Sequence, residues 1–146
     1  MPVHFEVFPQ FPLIYSRFVG SVSKEDVSAR LAGTLPQADS FSELAEIIDL
    51  TDVTELAITP SLICAIADEI AWQHSEIGRL HKLCILRPAS ASCPGVDLLL
   101  ELLAGHGQEM PIIVVTAPSD AVRELKLPAE SLRLLPRHFM PPLHLV

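Results

Sequence analysis

Apolar and polar positions alternate in two short segments near the N-terminus. Residues 3–8 (VHFEVF) follow a period of two, and residues 13–19 (LIYSRFV) are rich in β-branched and aromatic side chains. Both patterns predict β-strands. Pro9 and Pro12 lie between them and predict a turn, because proline lacks the amide that a strand ladder needs. We therefore expect an N-terminal β-hairpin.

Stretches with helical spacing follow the hairpin. Ser23 and Thr59 each precede such a stretch, which predicts that their hydroxyls cap the helix N-termini. Pro60, directly after Thr59, suits a first helical position, where its missing amide costs nothing. Two later helices are predicted, one from Cys93-Pro94-Gly95 to Gly105 and one capped by Ser119-Asp120 and ended by Pro128.

Three mainly apolar runs separate these helices. Residues 45–50, 80–86 and 111–118 have the composition of strands covered on both faces. The element order is β-β-α-β-α-β-α-β-α, and strands that alternate with helices require a largely parallel sheet. The sequence therefore predicts an α/β domain over residues 1–128, with one mostly parallel sheet, one antiparallel N-terminal edge strand and about four helices.

The C-terminal segment, residues 129–146, follows neither period. It is apolar and interrupted by prolines, and its leucines, Phe139 and Met140 are too many to leave in water. The segment either packs back onto the domain or forms an arm on a second subunit. We favour the arm, and hence a homodimer, because the globular pattern is complete by Pro128.

The net charge and the cysteine content restrict the binding partners and the cellular compartment that we expect for this protein. The net charge of −8 argues against nucleic acid and against adsorption to an anionic membrane, since both select clustered Lys and Arg. No apolar run is long enough for a membrane-spanning helix, and the N-terminus lacks the pattern of a secretory signal. The three cysteines form no CxxC pair. These features predict a cytoplasmic protein without membrane insertion.

Hydroxyl and carboxyl side chains gather where the 45–50 strand ends and the next helix begins. The candidate ligand or partner surface consists of Asp49, Thr51, Asp52, Thr54 and Thr59, with Glu55 among them. In open α/β sheets, ligands bind at the carboxyl ends of the strands. The alternative is that these residues make local turn and cap hydrogen bonds. The carboxylates disfavour an anionic ligand, because they would repel phosphate.

The segment IIDLTDVTELAITPSL (47–62) resembles the STAS / SpoIIAA-like family of anti-sigma-factor antagonists and small bacterial relatives. Residues 48–53 (IDLTDV) match the family's strand end, and the element order resembles the family over residues 3–127. In that family the next helix starts at a phosphorylatable serine. Here the family's Asp-Ser falls on Ala57 and Ile58, and its glycine falls on Pro60. The resemblance therefore implies a SpoIIAA-like fold without the phospho-serine switch.

Motifs for catalysis, metals and cofactors are weak. Cys93, at a predicted helix N-terminus, is a possible reactive thiol, because a helix N-terminus lowers a thiol pKa. No phosphatase-like arginine follows it, and the six histidines form no metal-ligand spacing. We expect no metal, no cofactor and no catalysis, and a regulatory or protein-interaction role. The alternatives are an enzyme or redox sensor built on Cys93 and a carrier or sensor of a small apolar or anionic ligand. The carrier rests on a related architecture in CRAL-TRIO lipid carriers, with the leucine-rich 96–103 helix as a movable wall.

Overall fold

Strands and helices alternate along the chain; the strands form one sheet, and the helices pack against it. The computed structural model describes residues 3–8, 13–30, 44–56, 59–77, 81–87, 94–105 and 112–128. The strands are β1 (Val3–Phe8), β2 (Leu13–Val22), β3 (Leu44–Leu56), β4 (His81–Leu86) and β5 (Ile112–Val115). The helices are α1 (24–30 within the described residues), α2 (Pro60–Ile77), α3 (Pro94–Ala104) and α4 (Pro118–Glu124).

The sheet has the spatial order β1-β2-β3-β4-β5. Strands β2 to β5 pair in parallel, and β1 pairs antiparallel with β2. Helices cross between successive parallel strands, because the end of one parallel strand lies far from the start of the next. The predicted α/β class and element order are confirmed.

The two faces of the sheet bury separate hydrophobic clusters, because successive side chains of a strand point to opposite faces. The first core lies under α2 and α3 and includes Phe18, Ile48, Leu50, Ile63, Ile66, Ile70, Val96, Leu99 and Leu103. The second core lies under α4 and includes Phe8, Leu13, Tyr15, Ala45, Ile47, Cys84, Leu86, Ala121, Val122 and Leu125. Strand β3 contributes to both cores and occupies the centre of the sheet.

Strand β3 is longer than its sequence pattern indicates. The apolar run ends at Leu50, but the strand continues to Leu56. Strand β4 pairs with β3 only as far as Asp49↔Leu86, whereas β2 stays paired with it to Val22↔Leu56. The predicted strand end at residue 50 is therefore wrong: residues 50–56 and the end of β2 form a two-stranded extension beyond the main sheet. Its Thr and Val side chains suit a half-exposed strand.

Two irregularities shape this extension. The pairing of β2 with β3 shifts register between Arg17 and Val19 and again between Gly20 and Ser21. Gly20 has a φ of +74°, a left-handed conformation that glycine adopts without strain. Such register shifts bend a strand and re-aim its side chains. The shifts and Gly20 therefore make β2 irregular within the extension, while its pairing with β3 continues to Val22.

The predicted caps of α1 and α2 are confirmed. The Asp26 amide donates to Ser23 Oγ at 3.3 Å, and the Ser23 amide donates to the Asp26 carboxylate at 2.8 Å, which makes a reciprocal capping box. At α2, the Leu62 amide donates to Thr59 Oγ1 at 3.4 Å, and Pro60 is the first helical residue.

Helix α4 differs from its prediction at both ends. Its N-cap is Ala117, which makes no side-chain bond, and Pro118 supplies the first turn, so Ser119 and Asp120 do not cap it. The helix ends at Glu124, ahead of Pro128. Lys126 then takes a φ of +56°, and the Leu127 amide donates to the Val122 carbonyl at 3.0 Å. This is a Schellman end with lysine where glycine is usual.

Several predictions fall on residues that the structure does not describe. They concern the turn at Pro9 and Pro12, Cys93, and the C-terminal segment 129–146. Among the described residues, no helix is long and apolar enough to cross a membrane.

Candidate functional site

Asp49 marks the point where β3 leaves the main sheet. It lies opposite Arg17 on one side and Leu86, the last residue of β4, on the other. Its side chain is buried among three donors: the Tyr15 hydroxyl donates to Oδ2, and the Thr51 amide and hydroxyl donate to Oδ1 at 3.0 and 2.6 Å. Asp49 thus fixes the start of the β2–β3 extension from inside the protein.

Tyr15 stays protonated at this position. Burial, and next the negative charge of Asp49 with its hydrogen bond, raise the pKa of Tyr15 above its ordinary value. A neutral phenol keeps donating to the carboxylate across the physiological range. The Tyr15–Asp49 hydrogen bond therefore links β2 and β3 across that pH range.

Arg17 makes a second link between the two strands, further along the extension. Its guanidinium forms an ion pair with the Asp52 carboxylate, and its side chain is 9% exposed against 47% for Asp52. The arginine supplies the cation that Asp52 lacks in its own strand. The Asp52 carboxylate is thus bound by Arg17, while much of the Asp52 side chain faces solvent.

Thr54 and Thr59 lie on the outside of the protein. Both are exposed, and so is Ser61 in the first turn of α2. Thr59 Oγ1 lies 3.2 Å from Ser61 Oγ, so two hydroxyls stand together at the helix start. The structure thus separates the predicted set: Asp49 and Thr51 lie beneath the extension, while Asp52, Thr54 and Thr59 face outward.

A further polar cluster occupies the other face of the same two strands. Arg30 of α1 forms an ion pair with Glu46 of β3, and its Nε lies 3.4 Å from Ser16 Oγ of β2. All three residues are at most 3% exposed. A desolvated ion pair of this kind fixes α1 against β2 and β3, and it borders the first core.

The buried partners Tyr15, Arg17 and Arg30 and the exposed Ser61 are absent from the sequence-predicted site. The sequence contains one signal that points to Tyr15 and Arg17. Tyr15 and Arg17 alternate with Ser16 and Phe18 in a strand, and a buried arginine requires a carboxylate. Nothing in one sequence indicates that this carboxylate would come from the register Arg17↔Asp49 and its neighbour Asp52.

The predicted thiol chemistry falls partly outside the described structure. Cys93 is not described, while Cys64 is exposed on α2 and Cys84 is fully buried in β4. Burial, and secondarily the negative charge of Glu124, raise the pKa of Cys84 to about 12, which makes it an inert core thiol. Within the described ranges, no group of three His, Cys, Asp or Glu side chains could hold a metal ion.

An apolar cavity lies inside the first core. Its volume is about 40 Å³, and Val96, Leu99 and Leu103 of α3 form one wall, with Phe18 and Arg30 opposite. A cavity that binds benzene in a protein core has about 150 Å³. The space is therefore too small for an acyl chain while α3 keeps its position.

Helix α3 begins close to the end of the extension. A Cβ built on Gly95 would lie 2.7 Å from the Leu56 Cβ, so only glycine permits this approach. The Arg87 side chain at the end of β4 pairs with Asp97 in the first turn of α3 at 3.0 Å. The first turn of α3 is thus held against the ends of β3 and β4.

Among solved structures, the chain is similar to the anti-sigma factor antagonist SpoIIAA in its unphosphorylated form. The TM-score is 0.55 at 12% sequence identity, and the match covers 85% of this chain and 96% of that chain. No protein-family profile matches the sequence, and no curated protein matches it significantly. At this identity the likeness shows the fold, and the SpoIIAA-like fold predicted from residues 47–62 is confirmed.

Proposed function

We propose that this chain, which has the fold of an anti-sigma factor antagonist, is a non-enzymatic regulatory module that binds a protein partner. Its binding surface is the outer side of the β2–β3 extension together with the start of α2: Asp52, Thr54, Thr59 and Ser61. The observation that carries the proposal is the division of the polar residues. Asp49 accepts hydrogen bonds from Tyr15 and Thr51 underneath, and Arg17 holds Asp52 from β2. Thr54, Thr59 and Ser61 are exposed, as is about half of the Asp52 side chain.

A binding role suits this arrangement better than catalysis. The Asp49 carboxylate accepts bonds from Tyr15 and Thr51, and Asp52 is paired with Arg17, so these carboxylates are engaged within the protein. A general acid or base needs a group that is free to exchange a proton with a substrate. Rigid, outward-facing hydroxyls on a stiffened strand and helix start are what a specific protein contact uses.

The regulation that we propose does not use a phosphorylated serine at the family position. That position falls on Ile58, which has no hydroxyl. Thr59 is engaged as the N-cap of α2 through Leu62. Phosphate mapping on protein from its native cell is expected to find residues 57–61 unmodified. Phosphate on Thr59 or Ser61 would show that the switch exists and has moved along the chain.

A matched pair of serines tests the binding surface. Ser61 follows Pro60 at the start of α2, and Ser119 follows Pro118 at the start of α4; both serines are exposed, but their helices cover opposite faces of the sheet. The partner is captured from the native cell, identified, purified and titrated by calorimetry. Ser61→Lys is expected to weaken binding at least tenfold, while Ser119→Lys stays within twofold of the parent. Equal effects, or a chain that captures no protein, would contradict the proposal.

The carrier alternative has one observation in its favour, the apolar cavity against α3. Its volume of about 40 Å³ requires α3 to move before a lipid fits. Organic extraction of the purified protein, followed by mass spectrometry, separates the two functions. A stoichiometric apolar molecule would favour the carrier, whereas an empty extract would favour the protein-binding module.

We also propose that residues 129–146 mediate a homodimer, on the basis of their apolar composition. Light scattering on the full chain and on a chain ending at Pro128 tests this. A dimer that becomes a monomer, or aggregates, after truncation supports the arm. An unchanged mass would show that the segment has another role.

A further inference from the structure

Trp72 is the chain's only tryptophan, and it is 50% exposed on α2. The helix buries Ile63, Ile66, Ala67 and Ile70 against the sheet, so Trp72 extends from its outward side. Among the described residues, the large hydrophobic side chains left exposed are Trp72 and Val114 of β5. Tryptophan is the residue type most enriched where binding energy concentrates at protein interfaces.

Two acidic side chains of the described part of α2 lie beside Trp72. Asp68 and Glu69 precede it by four and three residues, which places both on the same side of the helix, and both are exposed. The whole of α2 contains three acidic residues and neither lysine nor arginine. An aromatic side chain with carboxylates around it complements an apolar recess with a cationic rim.

The rest of this helix side allows close approach. Between the helix start and Asp68, the exposed positions are Ser61, Cys64 and Ala65, all with small side chains. Ser61 and Trp72 are separated by eleven residues, or roughly 17 Å along the axis. A typical interface of about 800 Å² per partner is roughly 28 Å across, so one partner spans this distance.

We propose that the outward side of α2, from Ser61 to Trp72, docks a protein partner that inserts Trp72 into an apolar recess rimmed by Lys or Arg side chains. This deepens the proposed function, on which it rests, by assigning the partner's chemistry and a second anchor. A second copy of this chain does not fit, because two identical acidic helix sides would repel each other. An anionic membrane surface is excluded by the same charge.

Site-specific photo-crosslinking in the native cell tests the contact directly. A photoreactive phenylalanine replaces Trp72 in one variant, Thr54 in a second and Ser119 of α4 in a control. We expect position 72 to crosslink to a partner peptide whose folded surroundings carry Lys or Arg, and position 119 to give no such product. A crosslink from position 72 to another copy of this chain, or to no protein, would overturn the proposal.

The same experiment distinguishes this inference from the proposed function. Crosslinks from position 54 without any from position 72 would reject the Trp72 anchor and leave the β3–α2 surface standing. Crosslinks from neither position would reject both. Crosslinks from both positions to one partner support a single interface along α2.

Titration of the identified, purified partner then measures the energetic role of each feature. Trp72→Ala is expected to weaken binding at least tenfold, as is the charge reversal Asp68→Lys with Glu69→Lys, while Ser119→Lys stays within twofold. Binding of the parent should weaken with added salt, and the charge-reversed variant should lose most of that dependence. Because the substituted side chains are exposed, circular dichroism and thermal unfolding should match the parent. Affinities within twofold for the Trp72 variant would contradict the anchor.

A label on the tryptophan gives an independent readout. Protein grown with 5-fluorotryptophan has one ¹⁹F resonance, since the chain has one tryptophan. Addition of the partner should shift or broaden that resonance as the ring leaves water. An unchanged resonance at saturating partner would show that Trp72 stays outside the interface.

Discussion

Replacing Arg30 by methionine is expected to destabilise the protein by about 3–5 kcal/mol at neutral pH. Arg30 and Glu46 are paired at 3% and 1% side-chain exposure, so the substitution leaves a carboxylate inside the protein without its cation. Domains of this size have free energies of unfolding of about 5–15 kcal/mol. The single variant is therefore expected to lie close to the edge of stability.

A double variant separates the charge from the packing. In Arg30→Met with Glu46→Leu neither charge of the pair remains, and replacement of such a pair by apolar side chains is neutral or stabilising by up to about 4 kcal/mol. The double variant should therefore be more stable than Arg30→Met alone. Arg123→Met serves as the surface control, because its partner Asp120 is on an exposed helix turn and such pairs contribute less than about 1 kcal/mol.

Urea unfolding at several pH values provides the measurement. A buried carboxylate without its cation relieves its desolvation by binding a proton. The deficit of Arg30→Met relative to the parent should therefore shrink as the pH falls, by at most about 1.4 kcal/mol per pH unit. If the single and double variants lose equal stability, and the deficit does not change with pH, the loss comes from the arginine stem and the argument from buried charge is wrong.

Three further predictions concern single positions. Tyr15→Phe removes a hydrogen bond to the buried Asp49 carboxylate and should cost about 1.5–3 kcal/mol in urea unfolding, with no loss if that bond is absent in solution. Lys126→Gly should raise stability by about 0.5–1 kcal/mol because glycine adopts the φ of +56° without strain, and Lys126→Ala should give no gain. The raised pKa of Cys84 contributes stability that is complete below pH 9 and is lost as the pH rises through about 12, because the unfolded thiol ionises first. The free energy of unfolding of the parent should therefore fall by about 1.4 kcal/mol more per pH unit than that of Cys84→Ala within that window. The same pH dependence in both proteins would show that the thiol is exposed to water.

The elements of this fold could be predicted from local patterns, and their lengths could not. Hydrophobic periodicity located every described strand and helix, because burial on one or two faces produces a regular pattern of apolar residues. Capping residues correctly marked the starts of α1 and α2. The end of β3 was misplaced by six residues, since Asp49 and Thr51 resemble turn residues and the pairing that keeps them in a strand comes from β2. Tertiary pairing of this kind overrides local propensity.

The sequence predicts where the candidate site lies, but not which of its residues are buried and which are exposed. The carboxyl end of β3 is a candidate binding site because ligands of open α/β sheets bind at the carboxyl ends of the strands, where the next helices begin. The sequence does not indicate that Asp49 is buried under Tyr15 while Thr54 is exposed, since both lie in one stretch of polar residues. The exposure of Trp72 on α2 becomes evident only from the helix faces that pack against the sheet.

Native mass spectrometry of the protein purified from its own cells tests the central claim most directly. Binding of a protein partner predicts a complex whose mass exceeds that of the chain, or of its homodimer, by a different polypeptide, and which releases that second kind of polypeptide under denaturing conditions. The contradicting result is a chain that carries an extra few hundred daltons, lost on denaturation, with no second polypeptide. That outcome would favour the carrier function over the protein-binding module.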